Sequence, residues 1–180
     1  MAFRAFVGIP IPMATVQRLN AQLVPILGKN VQRYPIEKWH ITIAFIGMLD
    51  ERAREQFETK MRAVCSTREP LNISFDGRIL HFERGSGRYT IALSIAPNRP
   101  MAELRDAVEH VLNETSDHTP EERPFRPHVT IAKGNEPIGE VEGLRVEKSS
   151  FIATDMLLYR SELRQTGSVF SVEASFALAA

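Results

Sequence analysis

His40-Ile41-Thr42-Ile43-Ala44 and His128-Val129-Thr130-Ile131-Ala132 are one short phrase written twice in a chain of 180 residues. The copies lie 88 positions apart, from residue 40 to residue 128, about half the chain. Each is approached by a proline and an aromatic residue: Tyr34-Pro35 and Trp39 before the first, Phe125 and Pro127 before the second. Both phrases read as strands, whose successive side chains point to opposite faces. His40 and Thr42 then share one face while Ile41 and Ile43 share the other, and the same holds for His128 and Thr130 against Val129 and Ile131. The apolar face packs on helices and the His/Thr face lines a groove. Two related halves meeting at such strands is the fold this repeat predicts.

The flanking sequence agrees. Phe3 to Ile9 is a β-rich run closed by Pro10-Ile11-Pro12, and Pro12 suits a first helical turn. Val16, Leu19, Leu23, Ile26 and Leu27 recur at helical spacing, with Pro25 inside the stripe as a kinking or shortening residue. The first motif strand runs from Trp39 to Gly47. Asp50 is a helix N-cap ahead of the stripe Ala53, Phe57, Met61 and Val64. Leu71 to Phe82 and Tyr89 to Ala96 read as antiparallel strands joined at Gly85-Ser86-Gly87. Met101, Leu104, Val108, Val111 and Leu112 mark another helix, followed by a loop over 113–124. Strands are predicted over Phe125 to Lys133, over 146–160 and over 168–178, with Gly167 in the last turn. The order is strand, helix, strand, helix, two strands, helix, three strands: an α+β arrangement dominated by antiparallel sheet.

Composition sets outer limits. Hydrophobic residues make up 43% and charged residues 24%, enough to bury a core without disulfide staples. With 22 basic and 22 acidic residues the net charge is zero, which argues against coating long nucleic acid by phosphate neutralisation. No run approaches the roughly 18 apolar residues of a membrane span, so no membrane partner is expected. The single cysteine, Cys65, cannot pair internally and reads as a small packing residue. A lone thiol without an export signal points to the cytoplasm. No obligate protein partner is evident.

Two histidines and two threonines around one groove suit phosphodiester cleavage at a ribose. Attacking water must lose a proton and the departing oxygen must gain one, and histidine does either near neutral pH. Threonine hydroxyls donate to non-bridging oxygens. The scheme needs no metal and no cofactor. His81, His110 and His118 fall in a strand, a helix and a loop, form no His-Glu-x-x-His pattern, and read as structural or exposed. No Gly-x-x-x-x-Gly-Lys-Ser/Thr loop is present, so triphosphate chemistry has no support.

These motifs resemble the two-histidine phosphoesterase superfamily, in particular its RNA 2′,3′-cyclic phosphodiesterase branch, also called the LigT-like or 2′-5′ RNA ligase family. The resemblance spans nearly the whole chain. Arg4 to Ile9 is similar to the opening strand, Trp39 to Gly47 to the first His-x-Thr-x motif, Phe125 to Lys133 to the second, and Leu158 to Leu163 with Gly167 and the final strand to the C-terminal signature. It implies one bilobal domain over residues 1–180, with two pseudo-symmetric lobes, each a largely antiparallel sheet with flanking helices, around a central cleft. It implies hydrolysis of a terminal 2′,3′-cyclic phosphate to a 2′-phosphate on RNA 3′ ends or small cyclic nucleotides. It gives His40 the proton-donor role and His128 the acceptor role, with Thr42 and Thr130 binding substrate. Lys133, where some relatives carry Arg, and Arg126 are further phosphate candidates, and Phe45 is a candidate base-stacking residue. Tyr159 and Arg160 either support the site or pack the sheet edge. The final strand ends Phe176-Ala177-Leu178, without the proline common in relatives.

Two other functions fit the same residues. A 2′-5′ RNA ligase would use an RNA 5′-hydroxyl, such as that of a tRNA half, in place of water. A non-catalytic module would bind RNA or a nucleotide without turnover. The loops at 28–37, 83–88 and 113–124 are expected to set specificity.

Overall fold

A computed structural model of the protein describes residues 1–28, 31–83, 85–121, 123–134, 141, 143–165 and 167–179. Residues 29, 30, 84 and 122, within the three loops expected to set specificity, lie outside the described residues. In chain order the elements are β1 (Phe3–Pro10), α1 (Met13–Leu27), a 3-10 turn (Ile36–Lys38), β2 (His40–Leu49), α2 (Glu51–Cys65), β3 (Leu71–Glu83), β4 (Tyr89–Ile95), α3 (Arg99–Thr115), β5 (His128–Gly134), β6 (Ser149–Ala153), β7 (Asp155–Arg164) and β8 (Gly167–Ala177).

The helices begin where local chemistry allows. Asp50 accepts the Ala53 N–H at 2.8 Å and so caps α2. Asn98 does the same for Met101 at 2.9 Å, ahead of Pro100 in the first turn of α3. Pro25 does not break α1, which continues to Leu27. The stripes Val16, Leu19, Leu23 and Leu27 of α1 and Met101, Leu104, Val108, Val111 and Leu112 of α3 are buried as expected. On α2 the buried stripe is Phe57, Met61 and Cys65, while Val64 is half-buried. All join one apolar cluster with Ile41, Ile43, Val129 and Ile131 of the motif strands. This face is dry, and the His/Thr face is left for the groove.

The strands form one sheet in the order β6-β3-β4-β5-β2-β1-β7-β8, every pair antiparallel. It is α+β, as predicted. The two halves correspond: β1-α1-β2 on one side and β4-α3-β5 on the other are each strand, helix, antiparallel neighbour. They meet at the sheet centre, where β2 and β5 touch through the single register pair Ile41↔Val129.

The sheet cannot be flat. Only Thr154 separates β6 from β7 in sequence, yet they stand six steps apart in sheet order. Six steps of a flat sheet would cover about 29 Å, and the two Cα steps from Ala153 to Asp155 reach about 7 Å. The halves must therefore fold towards each other. The extended run expected over 146–160 is real, but it changes partner at Thr154: Ser149–Ala153 pairs with β3, and Asp155–Arg164 pairs with β1 and β8. The last part of the chain thus supplies four strands where three were expected.

Two further boundaries differ. α3 continues to Thr115, so the loop expected from 113 starts later. Thr115 Oγ1 donates to the Val111 carbonyl at 2.7 Å inside this last turn. β5 begins at His128 rather than Phe125, because Pro127 has no N–H to give a ladder; its carbonyl instead accepts from Ile95 at 3.2 Å.

Candidate active site

The register pair Ile41↔Val129 places the two motifs side by side. Continuing that antiparallel register sets His40 across from Thr130 and Thr42 across from His128. All four side chains are half-buried, as groove-lining groups should be.

Both histidines are held alike. His40 Nδ1 lies 2.7 Å from the Lys38 carbonyl, and His128 Nδ1 lies 2.7 Å from the Arg126 carbonyl. A carbonyl only accepts, so each Nδ1 carries a hydrogen and donates it. Each neutral ring therefore has an unprotonated Nε2. For His40 that nitrogen accepts from Thr42 Oγ1 at 3.1 Å.

His40 stands against an aromatic wall. Its ring is 4.8 Å from Phe6 of β1, 5.7 Å from Tyr159 of β7 and 5.4 Å, edge-on, from Phe170 of β8. Phe6 and Tyr159 stack at 4.8 Å. The His40 pKa is lowered from its ordinary value to about 4, by burial first and by the charges of Lys133 and His128 in addition, while the hydrogen bond to Lys38 opposes them. Burial likewise pushes the Tyr159 phenol up to about 12. Gly8 of β1 makes room for this packing. A Cβ there would meet the Ile41 carbonyl at 2.9 Å and the His40 ring at 3.4 Å.

A repeated irregularity completes the site. On β2 the register steps from Gly8↔Thr42 to Val7↔Ala44, leaving Ile43 as an extra residue. On β5 it steps from Ala92↔Thr130 to Ile91↔Ala132, leaving Ile131 extra. Both are β-bulges, and each reverses the facing of the residues beyond it. Ile43 and Ala44, like Ile131 and Ala132, are both buried in succession. Simple alternation would put Phe45 and Lys133 with the isoleucines. The bulges bring them to the His/Thr face instead, each five residues after its histidine. Phe45 is 67% exposed, with its ring 6.2 Å from Phe6, so it is no core residue.

Lys133 Nζ lies 4.8 Å over the ring of Tyr34, a cation–π distance. Tyr34 is fixed to the second motif by its backbone: its N–H donates to the Ile131 carbonyl at 2.7 Å, and the Lys133 N–H donates to the Gln32 carbonyl at 3.1 Å. The approach to one motif is thereby tied to the other. Arg126 is exposed and contributes its carbonyl to His128.

Thus His40, Thr42, His128, Thr130, Phe45 and Lys133 share one face. Tyr159 packs in the wall behind His40. Arg160 does not: it binds Glu173 at 2.7 Å and lies 4.2 Å over Phe3. His118 is structural, bound to Glu109 at 2.7 Å and 3% exposed, and His110 is exposed beside Glu114. Sequence reasoning missed Phe6, Phe170 and the site role of Gly8. Of these only Gly8 carried a signal, since a glycine inside a strand marks a close approach. No described helix is long and apolar enough to cross a membrane.

Comparison with known proteins identifies the family and the fold. The family model described as the 2′-5′ RNA ligase superfamily matches residues 13–147. The RNA 2′,3′-cyclic phosphodiesterase of Bacillus subtilis (strain 168) is 30% identical over 132 residues, covering 71% of this chain and 69% of that protein. The protein of the same description from Thermus thermophilus is 27% identical over 151 residues, covering 80% and 74%. The crystal structure of E. coli LigT complexed with 3′-AMP superposes with a TM-score of 0.77 over all of both chains at 16% identity, a likeness of fold.

Proposed function

Because this chain belongs to the 2′-5′ RNA ligase superfamily, we propose that it is an RNA 2′,3′-cyclic phosphodiesterase that opens a terminal cyclic phosphate to a 2′-phosphate by two-histidine acid/base catalysis. The proposed substrates are RNA 3′ ends and small cyclic nucleotides. The observation that carries this is the matched pair of imidazoles, each with Nδ1–H held by the carbonyl two residues before it. Two relatives bear that activity as their name.

In this reading the cyclic phosphate sits between the four motif side chains. His128 Nε2 takes a proton from water, whose oxygen attacks phosphorus. The P–O3′ bond breaks, and O3′ takes the proton carried by His40 Nε2. The products are a 2′-phosphate and a 3′-hydroxyl, and the two histidines return to their starting states by proton exchange with solvent. Each well-placed transfer is worth roughly 10²–10⁴-fold. Thr42 and Thr130 donate hydroxyl hydrogens to the non-bridging oxygens. Lys133 supplies positive charge to the phosphate, Arg126 flanks it, and Phe45 offers an exposed ring to the base. The whole scheme uses side chains of one bilobal domain and requires no cofactor. The single cysteine supports a cytoplasmic setting.

Ligation would use the same site with an RNA 5′-hydroxyl in place of water, and the superfamily's description accommodates it. The test is incubation in EDTA with 2′,3′-cyclic AMP and with an oligonucleotide ending in a cyclic phosphate, alongside His40→Ala and His128→Ala. A 2′-phosphate product from the wild type alone is expected. Near-normal turnover by both variants would refute the assignment. Tight binding without product would leave a binding module, and joined tRNA halves would establish the ligase.

A further inference from the structure

The face that carries His128 continues onto β3. Leu80 and Phe82 pair with Ala92 and Thr90 of β4, and these pair in turn with Thr130 and Lys133 of β5. Phe82 brings its ring within 5.2 Å of His128. Residues two apart on a strand share a face, so Arg78 belongs to the same surface as Leu80 and Phe82. Its guanidinium agrees with that placement: one nitrogen lies 3.5 Å from Ser94 Oγ, and Ser94 is the register partner of His128.

Arg78 is clamped. Asp76 Oδ1 accepts its backbone N–H at 2.9 Å, and Asp76 Oδ2 accepts its Nε at 2.9 Å and lies 2.7 Å from a terminal nitrogen. Ser94 Oγ donates to the same carboxylate at 3.0 Å. Between them Gly77 takes φ +83°, and its carbonyl accepts from Val146 at 2.9 Å. A Cβ on Gly77 would run into the Val146 carbonyl, so the turn that presents Arg78 requires glycine there. The carboxylate occupies one edge of the guanidinium fork, and the side chain is still 54% exposed. Arg145, exposed, is the backbone bridge partner of Arg78. The Arg145 guanidinium donates to the Leu144 carbonyl at 3.0 Å. Two arginines thus occupy paired backbone positions with one carboxylate, Asp76, bound to Arg78, a local positive charge on a chain whose net charge is zero.

We infer that Arg78 and Arg145 form a subsite for phosphates of the RNA strand leading up to the terminal cyclic phosphate. A mononucleotide has no further phosphate to offer them, so the pair makes the site one for polynucleotide ends. This rests on the reading of His40 and His128 as the centre where the terminal phosphate is bound. A guanidinium held by a carboxylate is pre-organised to donate its remaining N–H groups to phosphate oxygens.

The experiment compares wild type, Arg78→Ala, Arg78→Lys and Arg145→Ala on 2′,3′-cyclic AMP and on a four-nucleotide RNA ending in a cyclic phosphate. Hydrolysis of the mononucleotide reports that the fold and chemical centre are intact. The expected result is that Arg78→Ala lowers kcat/KM about tenfold on the RNA and leaves the mononucleotide within twofold. Arg78→Lys should recover part of the loss, and the salt dependence on RNA should weaken by about one unit of log–log slope. Equal effects on both substrates, or none on either, would overturn the inference. The same comparison is made by binding, with a fluorescent RNA ending in a 2′-phosphate against 2′-AMP. That readout separates the two failures: no turnover by the wild type refutes the hydrolase, whereas RNA affinity unchanged by both arginine variants refutes the subsite.

Discussion

The sharpest consequence of the geometry concerns the proton on His40. In the free protein its pKa is depressed to about 4, by burial first and by Lys133 and His128 in addition. Against the ordinary value of about 6.5, that is a preference for the neutral ring of roughly 3 kcal/mol. At pH 7 about one molecule in a thousand would carry a proton on both ring nitrogens. The proton donor proposed for this position must do better. Binding a phosphate anion changes the sign of the local field, since a unit negative charge about 4 Å from the imidazole is worth about 4 kcal/mol at an effective dielectric constant near 20. That exceeds the deficit, so the anion itself charges the acid.

The assay is an NMR titration of the histidine rings, assigned with His40→Gln, in buffer free of oxyanions and again with saturating sulfate, whose charge does not change over this range. A His40 midpoint near 4 is expected without sulfate and above 6 with it. By reciprocity, sulfate affinity attributable to His40 should rise up to tenfold for each unit of pH lowered between those midpoints, and His40→Gln should remove that part of the rise. The same depression has a stability sign. The unfolded chain takes up its proton near pH 6.5 and the folded chain only near 4, so the contribution is intact above 6.5 and is lost as pH falls through that window. Urea midpoints of wild type and His40→Gln should therefore converge between pH 7 and pH 4. A free-protein midpoint at or above 6.5, or one that sulfate does not move, would refute the reasoning.

Gly8→Ala places a methyl group 2.9 Å from the Ile41 carbonyl and 3.4 Å from the His40 ring; a stability loss of about 1–3 kcal/mol should accompany a fall in kcat, read from urea unfolding and initial rates. Tyr34→Leu removes the ring under Lys133 while keeping an apolar side chain, so KM for 2′,3′-cyclic AMP should rise a few-fold with kcat nearly unchanged, and Tyr34→Phe should behave as wild type. Cys65 is fully buried and its thiol is pushed up to about 11 by that burial; it should resist thiol reagents at pH 8 until the protein is unfolded, and modification of the native protein in minutes would contradict its packing.

The sequence carried the elements, because periodicity is local: each helix stripe and strand run was readable from neighbouring residues. Pairing is not local. Nothing near Thr154 announces that the chain there leaves β3 and joins β1, since that switch depends on how the two halves of the sheet meet. The aromatic wall was hidden for the same reason. Phe6 pairs with Tyr159 from the far end of the chain, Phe170 meets His40 from the last strand of the sheet, 130 residues on in sequence, and Phe82 reaches His128 only across β4. The two histidines and two threonines were legible because a repeat supplies its own comparison, and no pairing had to be known.

The repeat also explains why the site is not symmetric. Each motif carries isoleucine and alanine after its threonine, and in each strand the bulge falls there. The fold therefore presents two equivalent positions to the groove, five residues beyond each histidine. One is filled by Phe45 and the other by Lys133. A symmetric pair of aromatics would lack a charge for phosphate, and a symmetric pair of lysines would lower the pKa of His40 still further. In the proposed reading, one apolar ring and one cation give a nucleotide end two distinguishable sides, base towards Phe45 and phosphate towards Lys133. Exchange of the pair, Phe45→Lys with Lys133→Phe, keeps the composition of the groove and both bulges while reversing that polarity. It should abolish turnover of a cyclic nucleotide even though all four motif side chains remain, because the cation would then stand beside Phe6 on the first motif strand and no longer on the second.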